Sequence, residues 1–261
     1  MASHHIINRI KYKWSIYKHW GFRYQCPLCG FHCSEWQPCG SHSEVYTAYQ
    51  TVGAGYRNAR CWKCGSRERE RMLYLYLRDT IHIKDPNTHL HILHIAPELN
   101  IAARLSQLSN IDYVCGDLFT DGYHYPDYVQ NMNVLDLPFT DHIFDMVICN
   151  HVLEHIPDDI CAMSQLYRVL KPGGKAILQV PLAVKLDKTI EDSSVTTRED
   201  REKTFGQYDH VRLYGMDYFD RLRSVGFEVY PLDIASHYPQ YGLNQAEKLV
   251  LCEKTNSGAK S

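Results

Sequence analysis

The chain has 261 residues, of which 44% are hydrophobic and 22% are charged, and its formal net charge is −2. This balance is typical of one folded domain of ordinary size with a small additional module, and it excludes a largely disordered chain. The near-neutral charge provides no general attraction to nucleic acid. No apolar run reaches the roughly 18 residues of a membrane span, and the first 25 residues lack the apolar core of a signal peptide. A cytoplasmic location is therefore predicted.

The N-terminal segment, residues 1–22, carries apolar side chains at roughly helical spacing with basic residues between them. The apolar positions are Ile6, Ile10, Trp14 and Tyr17. This pattern predicts an amphipathic helix. Such a helix either packs on its own protein, the usual source of helix stability, or associates with a membrane surface or a glycolipid.

Residues 23–65 are rich in cysteine, glycine, tyrosine and serine and show no sustained periodicity, so this segment needs a covalent or metal crosslink to fold. In a reducing cytosol, the ten cysteines of the chain indicate metal ligands or buried thiols rather than disulfides. Two C-x-x-C pairs, each followed by a glycine, predict a closed structural zinc site. Its predicted ligands are Cys26, Cys29, Cys61 and Cys64.

Two further cysteines, Cys33 and Cys39, lie between the pairs and are alternative ligands. A second alternative is a loop of free or redox-active cysteines. The cations between the two pairs are Arg57 and Arg60, which favours a scaffold or substrate-docking role for this zinc-binding module over nucleic-acid binding.

Residues 66–254 predict an alternation of strands and helices, with Ser66 as the N-cap of the first helix. The predicted strands are 91–95, 111–115, 133–135, 144–149, 175–180, 226–230 and 248–253, and the predicted helices are 67–79, 98–108, 158–170 and 218–224. This order indicates an α/β fold with a Rossmann-like, doubly wound sheet. The polar stretch 183–215 is predicted to be an irregular lid, and 255–261 a frayed tail.

Ligands of open α/β sheets bind beyond the carboxyl ends of the strands. The first predicted strand ends in His94-Ile-Ala-Pro-Glu98, which lacks the G-x-G-x-x-G pattern of a dinucleotide site. The second ends at Asp117, placed to accept hydrogen bonds from ribose hydroxyls, and the third at Asp136, placed to accept one from an adenine amino group. The predicted cofactor contacts are His94, Ala96, Glu98, Asp117, Leu118, Asp136, Leu137, Asn150 and His151.

The stretch from Asp136-Leu-Pro-Phe through Asn150-His-Val-Leu-Glu-His155 to Lys171-Pro-Gly-Gly174 resembles the class I methyltransferases of the type-11 family. Residues 24–253 also resemble a subgroup with an N-terminal zinc ribbon. The subgroup motifs are Cys61–Arg69, His94–Glu98 and Phe205–Gly215.

This resemblance implies S-adenosylmethionine as the methyl donor and a seven-stranded sheet whose last strand is antiparallel. It also implies that Asp117 contacts the ribose and Asp136 the adenine. The first loop departs from the family pattern, because His94 and Glu98 replace the usual acid and glycine. Many members of the subgroup resemble enzymes that modify surface sugars.

Residues 205–214 group several reactive side chains in the predicted lid. We predict that His210 is the general base, oriented by Asp209, and that Arg212 holds an anionic group of the acceptor. His151 and His155 are competing bases. A purely structural salt bridge between Asp209 and Arg212 is the alternative.

The predicted function is methylation of a hydroxyl on a sugar or another small molecule. One alternative is methylation of a protein side chain or of RNA, although the loop after the fourth strand lacks an N/D-P-P-Y-like sequence and nucleic acid is not the expected partner. Another alternative is an inactive binding module supported by zinc. The sequence leaves the oligomeric state open.

Overall fold

A central seven-stranded sheet organises the computed structural model, which describes residues 12–122 and 124–255. The strands are β1 Leu90–Ile95, β2 Ile111–Asp117, β3 Gln130–Asn131, β4 Phe144–Cys149, β5 Leu170–Ile177, β6 Phe227–Leu232 and β7 Leu249–Lys254. Their order across the sheet is β6-β7-β5-β4-β1-β2-β3. Strand β7 pairs antiparallel with β5 and β6, whereas the pairs among β1 to β5 are parallel. The predicted Rossmann-like, seven-stranded sheet with an antiparallel last strand is confirmed.

The central strands are nearly continuous apolar runs, as expected for parallel strands covered on both faces. In register, Ile95 at the end of β1 pairs with Gly116 of β2 on one side and with Cys149 of β4 on the other. The carboxyl ends of β1, β2 and β4 therefore meet at one edge of the sheet. The residues that follow these strands are brought together there.

Two strand predictions are corrected. The third strand is Gln130–Asn131 rather than residues 133–135, because Asn133 begins a turn: its side chain accepts a hydrogen bond from the Leu135 N–H at 3.0 Å. The fifth strand begins at Leu170, and its register with β4 shifts before Lys175.

Beyond a helical segment at residues 12–18, the described helices are α1 Glu44–Ala48, α2 Glu68–Asp79, α3 Leu99–Leu105, α4 Asp159–Val169, α5 Arg198–Phe205 and α6 Tyr218–Ser224, with short 3-10 turns at Leu153–His155, Ala235–His237 and Pro239–Tyr241. Ser66 is not the N-cap of α2. Arg67 occupies that position, and its backbone N–H donates to Glu70 Oε1 at 3.0 Å. The Ser66 hydroxyl instead lies 3.1 Å from the Cys64 sulfur and 3.4 Å from the Cys26 sulfur.

The predicted zinc-binding module contains two small antiparallel pairs, Trp20–Gln25 with His32–Cys33 and Gln37–Cys39 with Arg57–Arg60. A third pair joins this module to the rest of the chain, because Thr51–Val52 pairs antiparallel with Leu182–Ala183. The module is therefore anchored beside the segment that follows β5.

The lid segment is more regular than predicted. It contains α5, whose C-cap residue Gly206 has a left-handed conformation (φ +89°). It also contains a strand pair between Ile190–Glu191 and Arg212–Leu213. A Cβ atom at Gly206 would lie 2.1 Å from the ring of Tyr46 in the module. Glycine is required here both by the backbone conformation and by this close contact.

Residues 12–18 are helical, as the N-terminal pattern predicts, whereas Ile6 and Ile10 lie outside the described residues. Ile16 packs against the core, and the ring of His19 stacks on Trp62 at 3.8 Å. Among the described helices, none is long and apolar enough to cross a membrane. All of the predicted frayed tail except Thr255 also lies outside the described residues.

Candidate active site

The loop after β1 turns sharply at the sheet edge. Ala96 adopts a left-handed conformation with φ +48°, and its N–H donates to the Gly116 carbonyl at 2.8 Å. For an L-residue this conformation costs roughly 1–2 kcal/mol. The turn takes the place of the glycine-rich loop whose absence was noted in the sequence.

His94 and Glu98 have separate roles in this loop. The His94 ring is fully buried, and its two nitrogens lie 3.0 Å from Glu98 Oε2 and 3.0 Å from the Tyr113 hydroxyl. Burial by itself would raise the pKa of Glu98, but the His94 hydrogen bond and the nearby Arg69 charge more than offset it, and the pKa is lowered. Glu98 therefore presents a carboxylate at the sheet edge, held in place by His94.

Arg69 and Asn150 complete this corner. The Arg69 Nε lies 3.8 Å from Glu98 Oε1, and the Asn150 side-chain amide donates to the same oxygen at 3.5 Å. The Asn150 Oδ1 and the Arg69 Nε have no hydrogen-bond partner within the described ranges. Sequence reasoning did not assign Arg69 to the site. The signal available was its position in the motif that follows the second cysteine pair.

The two carboxylates predicted for ribose and adenine differ in their surroundings. Asp117 ends β2 and is half-buried, and burial raises its pKa against the opposing effect of the Leu118 N–H. Asp136 is exposed in the turn after β3. Leu118 is exposed, whereas Leu137 is buried.

A pocket of about 290 Å³ opens beyond the end of β4. One wall comes from the zinc-binding module, another from the 3-10 turn after β4, and a third from the lid. The polar residues around it include Tyr46, Arg69, His151, Glu154, His155 and His210. The topology thus brings together all three histidines that were considered as bases.

His151 is the most strongly constrained of these. It has a left-handed backbone (φ +55°), and its N–H donates to the Gln179 carbonyl at 2.7 Å. The ring Nδ1 lies 3.5 Å from Glu154 Oε1, while Nε2 has no partner in the described part of the chain. Burial, with a contribution from Arg69, lowers the pKa of His151 to about 4. The imidazole is therefore neutral at physiological pH and able to accept a proton at Nε2.

The predicted pairing of Asp209 with His210 is corrected. Asp209 instead contacts His155, with its carbonyl 3.1 Å and its Oδ2 3.6 Å from Nδ1 of that ring. His210 Nδ1 lies 3.4 Å from the Tyr46 hydroxyl, which the module supplies. Burial lowers the pKa of His210.

Arg212 is also placed differently from its prediction. Its guanidinium donates to the carbonyls of Leu153, Ile156 and Pro157 and to the Glu191 carboxylate. Through these hydrogen bonds Arg212 connects residues 183–215 to the turn after β4. Arg212 is not available to hold an acceptor anion, so the predicted role is replaced by a structural one.

The four predicted cysteine ligands lie together, with one sulfur from each within 4.8 Å of the others. Cys26 Sγ is 3.7 Å from Cys64 Sγ, and Cys29 Sγ is 3.7 Å from Cys61 Sγ. A tetrahedral zinc with Zn–S bonds of about 2.3 Å requires sulfur separations of roughly 3.8 Å. The four thiols therefore fit a zinc ion, and Cys33 and Cys39 are not part of the cluster.

A buried carboxyl near the pocket predicts a pH-dependent stability. Burial, together with the charge of Glu68, raises the pKa of Glu247 from 4.5 to about 7. The folded state thus binds more protons than the unfolded state between these values, so stability is lost as pH rises through this window. At about pH 8 the cost is on the order of 3 kcal/mol.

We expect Glu247→Gln to raise the free energy of unfolding at about pH 8 and to leave it nearly unchanged at about pH 5, as measured by denaturant titration of both proteins. Glu253→Gln is the control, because Glu253 is partly exposed and paired with Lys175. An equal effect of Glu247→Gln at both pH values would contradict the raised pKa.

Comparison with known proteins bears on the region around this site. Residues 93–178 match the family described as "Methyltransferase domain". These residues form a methyltransferase domain. They span the sheet from β1 to β5 and include the cofactor-site residues predicted from the ends of β1 to β4.

The relatives of the methyltransferase domain match over short stretches. A demethylmenaquinone methyltransferase of Anoxybacillus flavithermus is 28% identical over 98 residues, which is 38% of this chain and 35% of that protein. One from a Geobacillus strain is 40% identical over 45 residues, or 17% of this chain and 19% of that protein. The chain thus spans about a third or less of the length of these relatives.

Among solved structures, an S-adenosylmethionine-dependent methyltransferase from Mesorhizobium loti is 12% identical, with a TM-score of 0.44 over 70% of this chain and 98% of that one. A likeness at this level is too loose to support a conclusion about activity.

Proposed function

We propose that this protein transfers a methyl group from S-adenosylmethionine to a hydroxyl of a sugar or another small polar molecule. The observation that carries the proposal is the buried, unpartnered Nε2 of His151, a residue that lines a pocket beyond the carboxyl end of β4. A pocket of about 290 Å³ suits an acceptor of roughly monosaccharide size.

The donor site would be built from the loops after β1, β2, β3 and β4. Asp117 would accept hydrogen bonds from the ribose hydroxyls, and the loop holding Asp136 and Leu137 would contact the adenine. Glu98, the turn at Ala96 and Asn150 would surround the amino-acid end. When bound, this donor supplies a methyl group already activated by its positive sulfur, so the protein needs chiefly to position the acceptor and take its proton.

His151 is our candidate for the proton acceptor. The Glu154 carboxylate beside Nδ1 orients the ring and stabilises the imidazolium that forms when Nε2 takes the acceptor proton. Residues 183–215 and the module both line this pocket and would cover a bound acceptor. His210 lies in the same pocket and is the alternative base.

The tetrathiolate cluster would hold a structural zinc ion, because all four positions of the tetrahedron are filled by protein sulfurs. The zinc would fix the module, which supplies Tyr46 and the wall of the pocket next to Arg69. We propose a small-molecule or glycan acceptor as the partner.

The direct test is an acceptor screen in which formation of S-adenosylhomocysteine is measured against panels of sugars, small phenols, peptides and RNA. Turnover on a sugar or another small hydroxyl compound supports the proposal. Donor binding without turnover on any panel, or turnover confined to peptides or RNA, contradicts it.

We expect Asp117→Ala to weaken binding of S-adenosylhomocysteine by roughly 1–3 kcal/mol, since the ribose hydroxyls lose a partly buried acceptor. Isothermal titration calorimetry measures this directly. Asp112→Ala is the matched control, because Asp112 lies on the same strand at its opposite end and is exposed. Equal affinity of the Asp117 variant and the wild type would contradict the assignment.

A further inference from the structure

A buried carboxylate in the acceptor pocket is surrounded by imidazoles. Glu154 is 2% exposed, and its Oε1 lies 3.5 Å from His151 Nδ1 and 3.9 Å from His155 Nε2. Its second oxygen, Oε2, has no hydrogen-bond partner among the described residues. An unpaired carboxylate oxygen in such a position is costly unless a cation or a donor reaches it.

Two histidines beside Glu154 each have the Nδ1 nitrogen of the ring engaged by a neighbouring group. The Nδ1 of His155 is held by the Asp209 carbonyl at 3.1 Å, which leaves Nε2 facing Glu154. The Nδ1 of His210 contacts the Tyr46 hydroxyl at 3.4 Å, which leaves Nε2 for a ligand. Histidine ligands of metals are typically oriented in this way, through a contact at the nitrogen that does not bind the ion.

One ligand atom from each of Glu154, His155 and His210 lies within 4.8 Å of the other two. An ion with bonds of roughly 2.1 Å would bring tetrahedral ligand atoms to about 3.4 Å from one another, which is inside this 4.8 Å limit. Two imidazoles and one carboxylate, with further positions open to the pocket, favour a first-row transition metal over magnesium or calcium, which prefer sites built entirely of oxygen.

We propose that Glu154, His155 and His210 bind a divalent first-row transition metal ion, distinct from the tetrathiolate zinc, and that this ion coordinates the hydroxyl to be methylated. The use of the ion in catalysis rests on the proposed function, whereas its binding does not. The open positions would suit an acceptor with adjacent hydroxyls, which can chelate the ion.

The ion would act as a Lewis acid that makes the acceptor hydroxyl more acidic. The hydroxyl proton moves to Nε2 of His151, and an electron pair of the oxygen forms the new bond to the methyl carbon. The carbon–sulfur bond of the donor breaks, and its electrons remain on sulfur as S-adenosylhomocysteine. The proton on His151 is then released to water, and no atom changes oxidation state.

The test is a titration of the full-length, zinc-loaded protein with cobalt(II), followed by calorimetry and by visible absorption. We expect one equivalent of cobalt to bind without the intense thiolate charge-transfer band of a sulfur site. Removal of a group that only orients a metal ligand typically weakens metal binding by about 10–100-fold. Glu154→Gln and His155→Ala change the proposed ligands themselves, so each should weaken cobalt binding by more than about tenfold. His237→Ala, which removes an exposed histidine elsewhere, should bind like the wild type.

Failure of the zinc-loaded protein to bind one equivalent of cobalt, or unchanged cobalt affinity in both the Glu154 and His155 variants, would overturn the proposal. His155 is partly exposed, so its variant remains informative even if Glu154→Gln disturbs folding. A parallel titration with S-adenosylhomocysteine separates the two hypotheses. Donor binding without cobalt binding refutes only the metal site, whereas cobalt binding without donor binding refutes the proposed function and leaves the metal site standing.

Discussion

His151→Ala should lower turnover on an identified acceptor by about 10²–10⁴-fold, the usual contribution of a positioned general base. The affinity for S-adenosylhomocysteine should stay close to that of the wild type, because His151 lines the pocket proposed for the acceptor. Steady-state kinetics and calorimetry on the same preparation measure the two quantities. The pKa of about 4 also predicts that turnover depends little on the protonation of His151 near neutral pH and falls only as pH approaches that value.

The matched control for this variant is His142→Ala. His142 shares the left-handed backbone of His151, with φ +62° against +55°, but it precedes β4, at the opposite end of this strand from the pocket, and its Nδ1 lies 3.0 Å from Lys254 Nζ. Any loss caused by placing alanine in this conformation is therefore measured separately. Wild-type turnover of His151→Ala would move the role of base to His210.

Cys61→Ser should release the zinc ion and unfold the zinc-binding module. The apparent free energy of zinc binding in small structural sites is on the order of 10–16 kcal/mol near pH 7, and much of it is folding free energy. Loss of one thiolate should therefore cost more than any single core substitution. We expect the zinc content to fall from one per chain toward zero, with rapid proteolysis within residues 23–65.

Cys33→Ser is the control for this experiment, because Cys33 is buried in the same module but is not part of the tetrathiolate cluster. It should keep its zinc. Elemental analysis and limited proteolysis of both variants distinguish the two positions. Zinc retained by Cys61→Ser, or lost by Cys33→Ser, would show that the ligand set is different.

The strongly apolar parts of the fold could be predicted from the sequence. Strand β4 and helix α6 have the predicted bounds, because each depends on a local apolar pattern between clear turn signals. Strand β3 has only two exposed residues and no such pattern. Helix α5 was missed because it is almost entirely polar and buries only Phe205.

The chemical residues of the site could be predicted only in part. The spacing of the cysteines indicated the tetrathiolate cluster. The order of the polar residues after the strands indicated the edge of the sheet where the methyl donor is proposed to bind. The contacts of Asp209 with His155 and of Arg212 with the Leu153 carbonyl span more than 50 residues, which no local pattern encodes. Arg71 is a further case, because this fully buried guanidinium donates to the carbonyl of Gly242, 171 residues along the chain, as well as to that of Ala59 in the module.

The most direct test of the account is a calorimetric titration of the purified, zinc-loaded protein with S-adenosylmethionine. We expect one binding site per chain, with a dissociation constant in the range of about 1 μM to 1 mM that is typical of enzyme substrates. Absence of binding at millimolar concentration, in a protein shown to be folded, would contradict the assignment of the sheet edge as a methyl-donor site.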